Sequence, residues 1–218
     1  MMQLIGQYDS PFVRRVAVAL KHYGLAFDHL PWSVFGDAER IRQYNPLTRV
    51  PALVLEDGAV IIESAAIIDW LDELVPAERA LMARTGVARR AALKVCALST
   101  GLADKAVSLV YESVIHQRDT ALWQERCRAQ IKGALEELTR WRERSSAPWL
   151  LGSRLGHGDI AMGCALRFVS EALPEVLKLS DWPALARHSA QCEALVEFRE
   201  AYQAFRVVTG ESAQAANG

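Results

Sequence analysis

Short apolar runs alternate with helical periods over the first 76 residues. Residues 3–8 predict a strand, and a segment with apolar positions at helical spacing follows, up to Gly24. These positions are Phe12, Val16, Ala19, Leu20 and Tyr23. Ser10 is a helix N-cap followed by Pro11 at the first helical position, and Gly24 suits a helix end. A second strand over Ala26–Leu30 completes a βαβ unit with parallel strands.

A short helix, a hairpin and a third helix are predicted next. A polar helix is expected over Asp37–Tyr44. Asp57-Gly58 separates two apolar runs, Pro51–Leu55 and Ala59–Ile62, a pattern typical of a β-hairpin. Ser64 then begins a helix, so the predicted order is β-α-β-α-β-β-α.

After Pro76 the periodicity is helical throughout. Helices are predicted over Ala88–Ile115, around Trp123–Trp141, after Asp159, and from Pro183 to about Tyr202. The change in pattern marks a domain boundary. We predict an α/β domain at 1–78, an all-helical bundle domain at 86–208 and a disordered tail at 209–218.

Composition narrows the function classes. The 218 residues are 51% hydrophobic, enough for two cores, and the net charge of -1 gives no field that would attract nucleic acid. The four cysteines form no CxxC pair, so neither a metal site nor a dithiol redox motif is expected. No apolar run is long enough to span a membrane and no leader pattern is seen, so we expect a cytoplasmic protein without a membrane partner.

Three local motifs in the first domain carry a resemblance. They are Ser10-Pro11-Phe12-Val13, Asn45-Pro46-Leu47 leading into Val50-Pro51, and Glu63-Ser64. In this order and spacing the chain resembles the glutathione S-transferase superfamily, in particular its serine-type members, which include plant Tau-class and related bacterial transferases. A fainter mark is Gly156-His157-Gly158-Asp159, where that family has a capping box that begins with Ser or Thr.

The resemblance implies a thioredoxin-like first domain that binds glutathione as co-substrate, with no metal. It implies that Ser10 donates a hydrogen bond to the glutathione thiolate, a charge-assisted bond at a helix N-terminus. Tyr8 is the alternative donor, since other transferase classes use a tyrosine at the end of the first strand. From the local sequence alone, an ordinary N-cap is the favoured interpretation of Ser10, and the other two motifs reverse this preference.

The other motifs are expected to hold the peptide. Val50 would pair its backbone with glutathione if the bond to Pro51 is cis, an isomer that the sequence does not specify. Glu63 and Ser64 would bind the γ-glutamyl group, although a helix cap is an equal interpretation of Ser64. Arg49 would meet the glycyl carboxylate or be a solvated loop residue.

The resemblance therefore predicts a homodimeric detoxification enzyme that conjugates glutathione to a small hydrophobic electrophile bound by the helical domain. Three alternatives stay open. One is a non-catalytic glutathione- or ligand-binding protein of the same fold. Another is a glutathione-dependent isomerase or dehalogenase, which shares the activated thiolate. The third is a thiol oxidoreductase, although that activity usually requires a cysteine where Ser10 stands.

Overall fold

The computed structural model describes residues 1–114 and 120–206. The predicted tail at 209–218 lies outside these residues. The chain divides into two compact units, one formed by Met1–Pro76 together with the chain from Glu197 onwards, the other by Ala77–Val196. The predicted division at 78 and 86 lies close to the first boundary, whereas the return of the chain to the first unit is a feature that the sequence did not suggest.

The first unit has the predicted order β-α-β-α-β-β-α, which confirms the thioredoxin-like fold. Its elements are β1 (Met2–Ile5), α1 (Pro11–Tyr23), β2 (Phe27–Leu30), α2 (Ala38–Arg42), β3 (Ala52–Val54), β4 (Val60–Ile62) and α3 (Ser64–Glu73). The strands form one sheet in the order β2-β1-β3-β4. The β1–β2 pair is parallel, as the βαβ crossover requires, and the other two pairs are antiparallel.

Local chemistry sets both ends of α1. The Ser10 side chain accepts a hydrogen bond from the Val13 N–H, and Pro11 occupies the first turn, where a missing N–H costs nothing. Gly24 ends the helix at a φ of 71°, in the left-handed region that glycine adopts without steric cost. Apart from Phe12, which is partly exposed, the apolar side of α1 is buried, so propensity and packing favour the same helix.

Four main helices lie in the described part of the second unit. They are α4 (Gly86–Val114), α5 (Ala121–Arg144), α6 (His157–Ala172) and α7 (Pro183–Glu193), with a 3₁₀ turn at Leu179–Asp181 before α7. The helix predicted after Asp159 begins two residues earlier, at His157. Asp159 explains this start, because its Oδ2 accepts a bond of 2.9 Å from the Gly156 N–H and its Oδ1 accepts one of 2.9 Å from Leu150. Gly156 itself supplies no side-chain cap.

A buried polar group lies beside this helix start. His188 is fully buried, and its Nε2 is 3.5 Å from both the Asp159 carbonyl oxygen and Cys192 Sγ. Burial lowers the pKa of His188 to about 4, and it raises the pKa of Asp159 to about 6 despite the backbone hydrogen bonds that the carboxylate accepts. His188 is therefore neutral at pH 7, which avoids a buried imidazolium.

The fourth predicted helix is shorter than expected. It was predicted to reach Tyr202, but α7 ends at Glu193 and a separate short helix, α8 (Val196–Glu200), follows. Tyr202 is 40% exposed instead of buried. The physical reason is tertiary: Phe198 and Ala201 are fully buried and belong to the first unit, so this segment packs within that unit instead of continuing α7.

Candidate functional site

The strand register brings the three sequence motifs to one end of the sheet. Ile5 pairs with Ala52, and Ala52 pairs with Ile62 on its other side. The chain leaves Ile5 toward Ser10, enters Ala52 from Val50-Pro51, and leaves Ile62 directly into Glu63-Ser64. Because these positions form one row across three neighbouring strands, segments more than fifty residues apart in the sequence meet at the same end of the sheet.

Gly6 lies in the middle of this end of the sheet. It has a φ of 126°, and a Cβ added to it would come within 2.5 Å of Val13 Cγ2 and 2.8 Å of Val50 Cβ. Only glycine therefore fits between the first turn of α1 and the residue before Pro51. This close approach places the turn that Ser10 caps and the Val50 segment on either side of one backbone position.

Ser10 is a cap whose proton remains available. Its Oγ accepts from the Val13 N–H at 3.4 Å, and its own N–H donates to the Gln7 carbonyl at 3.2 Å. A hydroxyl has two acceptor lone pairs and one donor, so capping occupies a lone pair and leaves the O–H free. The capping and donor interpretations of Ser10 are thus compatible, and the accepted N–H polarises the hydroxyl toward donation.

Tyr8 lies in the same loop and stacks on His29, with ring centroids 3.8 Å apart and an interplanar angle of 2°. His29 Nε2 donates to the Gly6 carbonyl at 2.8 Å. Burial, with a smaller contribution from the Glu200 carboxylate, raises the pKa of the Tyr8 phenol to about 12. The phenol is therefore a weaker acid than an exposed tyrosine.

Asp9 precedes the cap and is partly buried. Burial raises the pKa of its carboxyl to about 6, although hydrogen bonds from the backbone N–H groups of Ser10 and Asp9 itself oppose this rise. At pH 7 most Asp9 side chains are still ionised. The loop thus carries a desolvated negative charge directly before the helix N-terminus.

The Val50–Pro51 peptide bond is cis. Within residues 1–114 and 120–206, neither the N–H nor the C=O of Val50 has a hydrogen-bond partner, because strand pairing begins only at Ala52. Asn45 supports the preceding turn, donating from Nδ2 to the Arg49 carbonyl at 2.8 Å and accepting from the Leu47 N–H at 3.1 Å. The N–H and C=O of Val50 therefore form an adjacent donor and acceptor that strand pairing leaves unused.

Glu63 and Ser64 form the start of α3. Glu63 is the N-cap residue with a φ of 68°, an uncommon conformation for a residue other than glycine, and Ser64 is 5% exposed. Arg49 Nη1 lies 3.4 Å from Glu63 Oε1, and both side chains are about half exposed. The first N–H groups of α3 have no partner within the helix, so this end favours an anion.

No group of three or more potential metal ligands occurs among the residues that the structure describes. Across the same two ranges, 1–114 and 120–206, none of the helices combines the length and apolarity needed to cross a bilayer.

Family models match both halves of the chain. The model described as the glutathione S-transferase N-terminal domain matches residues 4–79, and the one described as the C-terminal domain matches residues 121–191. Together they cover more than half of the sequence, and the chain belongs to the glutathione S-transferase family. The fold is correspondingly the glutathione S-transferase fold.

Solved structures agree with this assignment. A glutathione S-transferase from Methylobacterium radiotolerans, in complex with glutathione sulfonate, is 30% identical, with a TM-score of 0.87 over 95% of this chain and 97% of that chain. A glutathione S-transferase from Methylobacillus flagellatus with glutathione bound is 26% identical, with a TM-score of 0.82 over 92% and 98% of the two chains.

Two curated relatives match this chain over different shares of its length. The maleylacetoacetate isomerase of Pseudomonas aeruginosa is 28% identical over 93% of this chain and 96% of its own length. The uncharacterized GST-like protein YibF of Escherichia coli is 32% identical over 51% of this chain, and the match spans only 54% of that relative.

Several residues around the site were not identified from the sequence. Gly6 carries a weak signal, a glycine directly after an apolar strand. Arg14 and Arg15 interrupt the apolar pattern of α1, yet each is only 3% exposed. Gln203 contacts the loop from a distance of 195 residues in the sequence, and no local pattern reveals such a contact.

Proposed function

We propose that the protein is a glutathione transferase in which Ser10 stabilises the glutathione thiolate. The observation that carries this proposal is the Ser10 hydroxyl, which caps α1 through a lone pair and keeps its proton for a ligand. It stands at the edge where the unpaired Val50 backbone and the N-terminus of α3 also lie. The glutathione-bound relatives support glutathione as the ligand.

The energetic requirement matches a single hydroxyl. A free thiol has a pKa of about 8.5, so only a few per cent is ionised at pH 7. A charge-assisted hydrogen bond contributes about 1.5–3 kcal/mol, equivalent to roughly one to two pKa units. The partial positive charge at the N-terminus of α1 acts in the same direction. The Ser10 O–H therefore stays protonated and stabilises the anion electrostatically.

Ser10 is preferred over Tyr8 as the donor. The raised pKa of the Tyr8 phenol makes it a weaker donor to an anion, and its ring is engaged in the stack with His29. Ser10, in contrast, lies at the N-terminus of a thirteen-residue helix, where the first N–H groups favour an anion.

The remaining residues would orient the peptide. Val50 pairs its N–H and C=O with the cysteinyl backbone of glutathione, as an added strand would. Ser64 and the α3 N-terminus receive the γ-glutamyl carboxylate, and Glu63 accepts from the γ-glutamyl amine. Because Arg49 contacts Glu63, we propose that it lies at this γ-glutamyl end and meets that carboxylate in preference to the glycyl one.

The second substrate is proposed to be a small hydrophobic electrophile, and the working form a cytoplasmic homodimer, as the resemblance implies. The likeness to maleylacetoacetate isomerase over nearly the whole chain supports a second candidate function, a glutathione-dependent isomerase. Both reactions begin with thiolate attack on a carbon atom. Conjugation retains the new C–S bond, whereas isomerisation breaks it and releases glutathione.

The test is a titration of bound glutathione by the ultraviolet absorbance of its thiolate, in wild type and in Ser10→Ala and Ser10→Thr. We expect Ser10→Ala to bind glutathione while its thiol pKa rises by about one unit or more. Ser10→Thr keeps both the cap and the hydroxyl and should stay near wild type. An unchanged pKa in Ser10→Ala would transfer the role to Tyr8 or to a backbone donor, with Tyr8→Phe as the next variant.

A product assay separates the two candidate reactions. Wild-type protein is incubated with glutathione and either a chloronitrobenzene electrophile or maleylacetoacetate. A thioether product with release of chloride identifies a transferase, in which sulfur replaces chloride on the ring. Conversion of the cis double bond without net consumption of glutathione identifies an isomerase.

A further inference from the structure

The segment Glu197–Arg206, here called the C-terminal strap, lies against the helix that carries Ser10. Arg14 of α1 is only 3% exposed and donates from Nε to the Ala201 carbonyl and from Nη2 to the Phe198 carbonyl, each at 2.9 Å. Its guanidinium also stacks over the rings of Phe198 and Tyr202, at 5.3 and 5.6 Å from their centroids. One buried arginine thus holds both the backbone and the aromatic side chains of the strap.

Two further contacts fix the strap along α1. Lys21 Nζ lies 2.8 Å from Glu200 Oε2, and His22 Nδ1 lies 3.1 Å from Glu197 Oε1. Arg14 and Lys21 are seven residues apart, so they project from one side of α1, and His22 extends the contact onto the adjoining surface of the helix. The strap is therefore attached to α1 on both sides of Phe198, which is itself fully buried.

Beyond these attachments the strap reaches the loop before Ser10. Gln203 Oε1 accepts a hydrogen bond of 3.3 Å from the Tyr8 N–H. The loop is also held at its two ends, by the Gly6 N–H to the Leu30 carbonyl at 2.9 Å and by the Ser10 N–H to the Gln7 carbonyl at 3.2 Å. The contact from Gln203 thus secures the middle of the loop, midway between Gly6 and Ser10.

We propose that Gln203 is a positioning residue for thiolate stabilisation, acting through the Tyr8 backbone on Ser10. The inference rests on the proposed function of Ser10. A loop fixed at its middle holds the serine hydroxyl at a defined distance from the ligand sulfur, and hydrogen bonds to an anion weaken quickly when the donor is displaced. Gln203 acts only through the Tyr8 backbone and touches neither glutathione nor the reacting carbon.

The experiment compares Gln203→Met, which removes the acceptor at similar volume, with Gln203→Glu, which keeps an acceptor oxygen. Gln130→Met, the same substitution at an exposed position of α5, is the matched control. Amide hydrogen exchange at Tyr8 is measured by NMR in the full chain without ligand. The thiol pKa of bound glutathione, kcat and KM are then measured in wild type and both Met variants.

In Gln203→Met we expect Tyr8 amide exchange to accelerate about fivefold, the equivalent of about 1 kcal/mol. We also expect the thiol pKa of bound glutathione to rise by about half a unit, with a fall in kcat and little change in KM. Gln203→Glu should retain slow exchange. The thiol pKa in Gln203→Glu rises for a separate reason, because the added negative charge itself opposes the thiolate.

Two results would overturn the inference while leaving Ser10 in its role. One is unchanged Tyr8 exchange in Gln203→Met, which would show that the contact does not protect the loop. The other is faster exchange with an unchanged thiol pKa, which would make Gln203 a purely structural anchor. If wild-type protein binds no glutathione, the proposed function fails first and the inference falls with it, even where Tyr8 exchange responds as expected.

Discussion

Replacing Gly6 by alanine tests whether the two halves of the proposed glutathione site meet at one backbone position. The added Cβ would lie 2.5 Å from Val13 Cγ2 and 2.8 Å from Val50 Cβ, both closer than Cβ atoms tolerate. Neither neighbour is the free end of a long side chain. Val13 belongs to the first turn of α1, and the close atom of Val50 is its Cβ, so relief requires movement of backbone.

The expected cost has two parts. A positive φ in a residue with a Cβ costs about 1–2 kcal/mol. Overpacking against a fixed core adds typically about 1–3 kcal/mol. Gly6→Ala should therefore destabilise the protein by about 2–5 kcal/mol, a large share of the total stability of a domain.

Gly58→Ala is the matched control, because Gly58 has a φ of 86° and no heavy atom within 4 Å of the added Cβ. Gly58→Ala should lose only the stability that a positive φ costs, about 1–2 kcal/mol. Urea unfolding measures both variants, and calorimetric titration with glutathione measures binding. We expect Gly6→Ala to lose more stability than the control and to bind glutathione more weakly. Equal losses with equal affinity would refute the close approach of Gly6, Val13 and Val50.

Two further predictions concern the second unit. Because burial lowers the pKa of His188 to about 4, the unfolded chain binds a proton below pH 6.5 that the folded chain does not. Urea unfolding measures the free energy of unfolding at each pH, and between pH 6.5 and 4 wild type should lose up to about 3 kcal/mol relative to His188→Gln. Stability curves that run parallel in the two proteins over this pH range would contradict this. Gly156→Ser restores a capping hydroxyl, but its Cβ would lie 3.1 Å from the Leu81 carbonyl oxygen. We expect the free energy of unfolding to change by no more than about 0.5 kcal/mol in the same assay. A clear gain in stability would contradict this and show that the Leu81 backbone moves to accommodate the added Cβ.

The first domain was predictable because its signals are local and mutually consistent. Ser10-Pro11 with Gly24 defines α1 through backbone chemistry at its two ends, and Asp57-Gly58 defines the hairpin. The motifs around Val50 and Glu63 could be located, but not shown to converge. Convergence depends on the register that aligns Ile5, Ala52 and Ile62, a long-range property.

The end of the helical region shows where local pattern fails. Leu185, Cys192, Leu195 and Tyr202 suggested one amphipathic helix, whereas the chain breaks after Glu193 and leaves Tyr202 exposed. The burial of Phe198 and the bonds from Arg14 decide this, and both involve partners more than 180 residues away in sequence. The isomer of the Val50–Pro51 bond was equally beyond local reasoning, since the base rate favours trans.

The contact between Arg14 and the strap also orders events during synthesis. About 120 residues separate Pro76 from Glu197, the two boundaries of the first unit. At typical ribosomal rates the synthesis of this interval takes roughly 6–24 s. During this time α1 and its sheet have been made, but the Phe198 and Ala201 carbonyls that accept from Arg14 have not. The nascent unit therefore gains these contacts only after the strap has been made, so termination between Pro76 and Phe198 releases a protein with the Ser10 motif intact and the contacts of Arg14 and Gln203 missing.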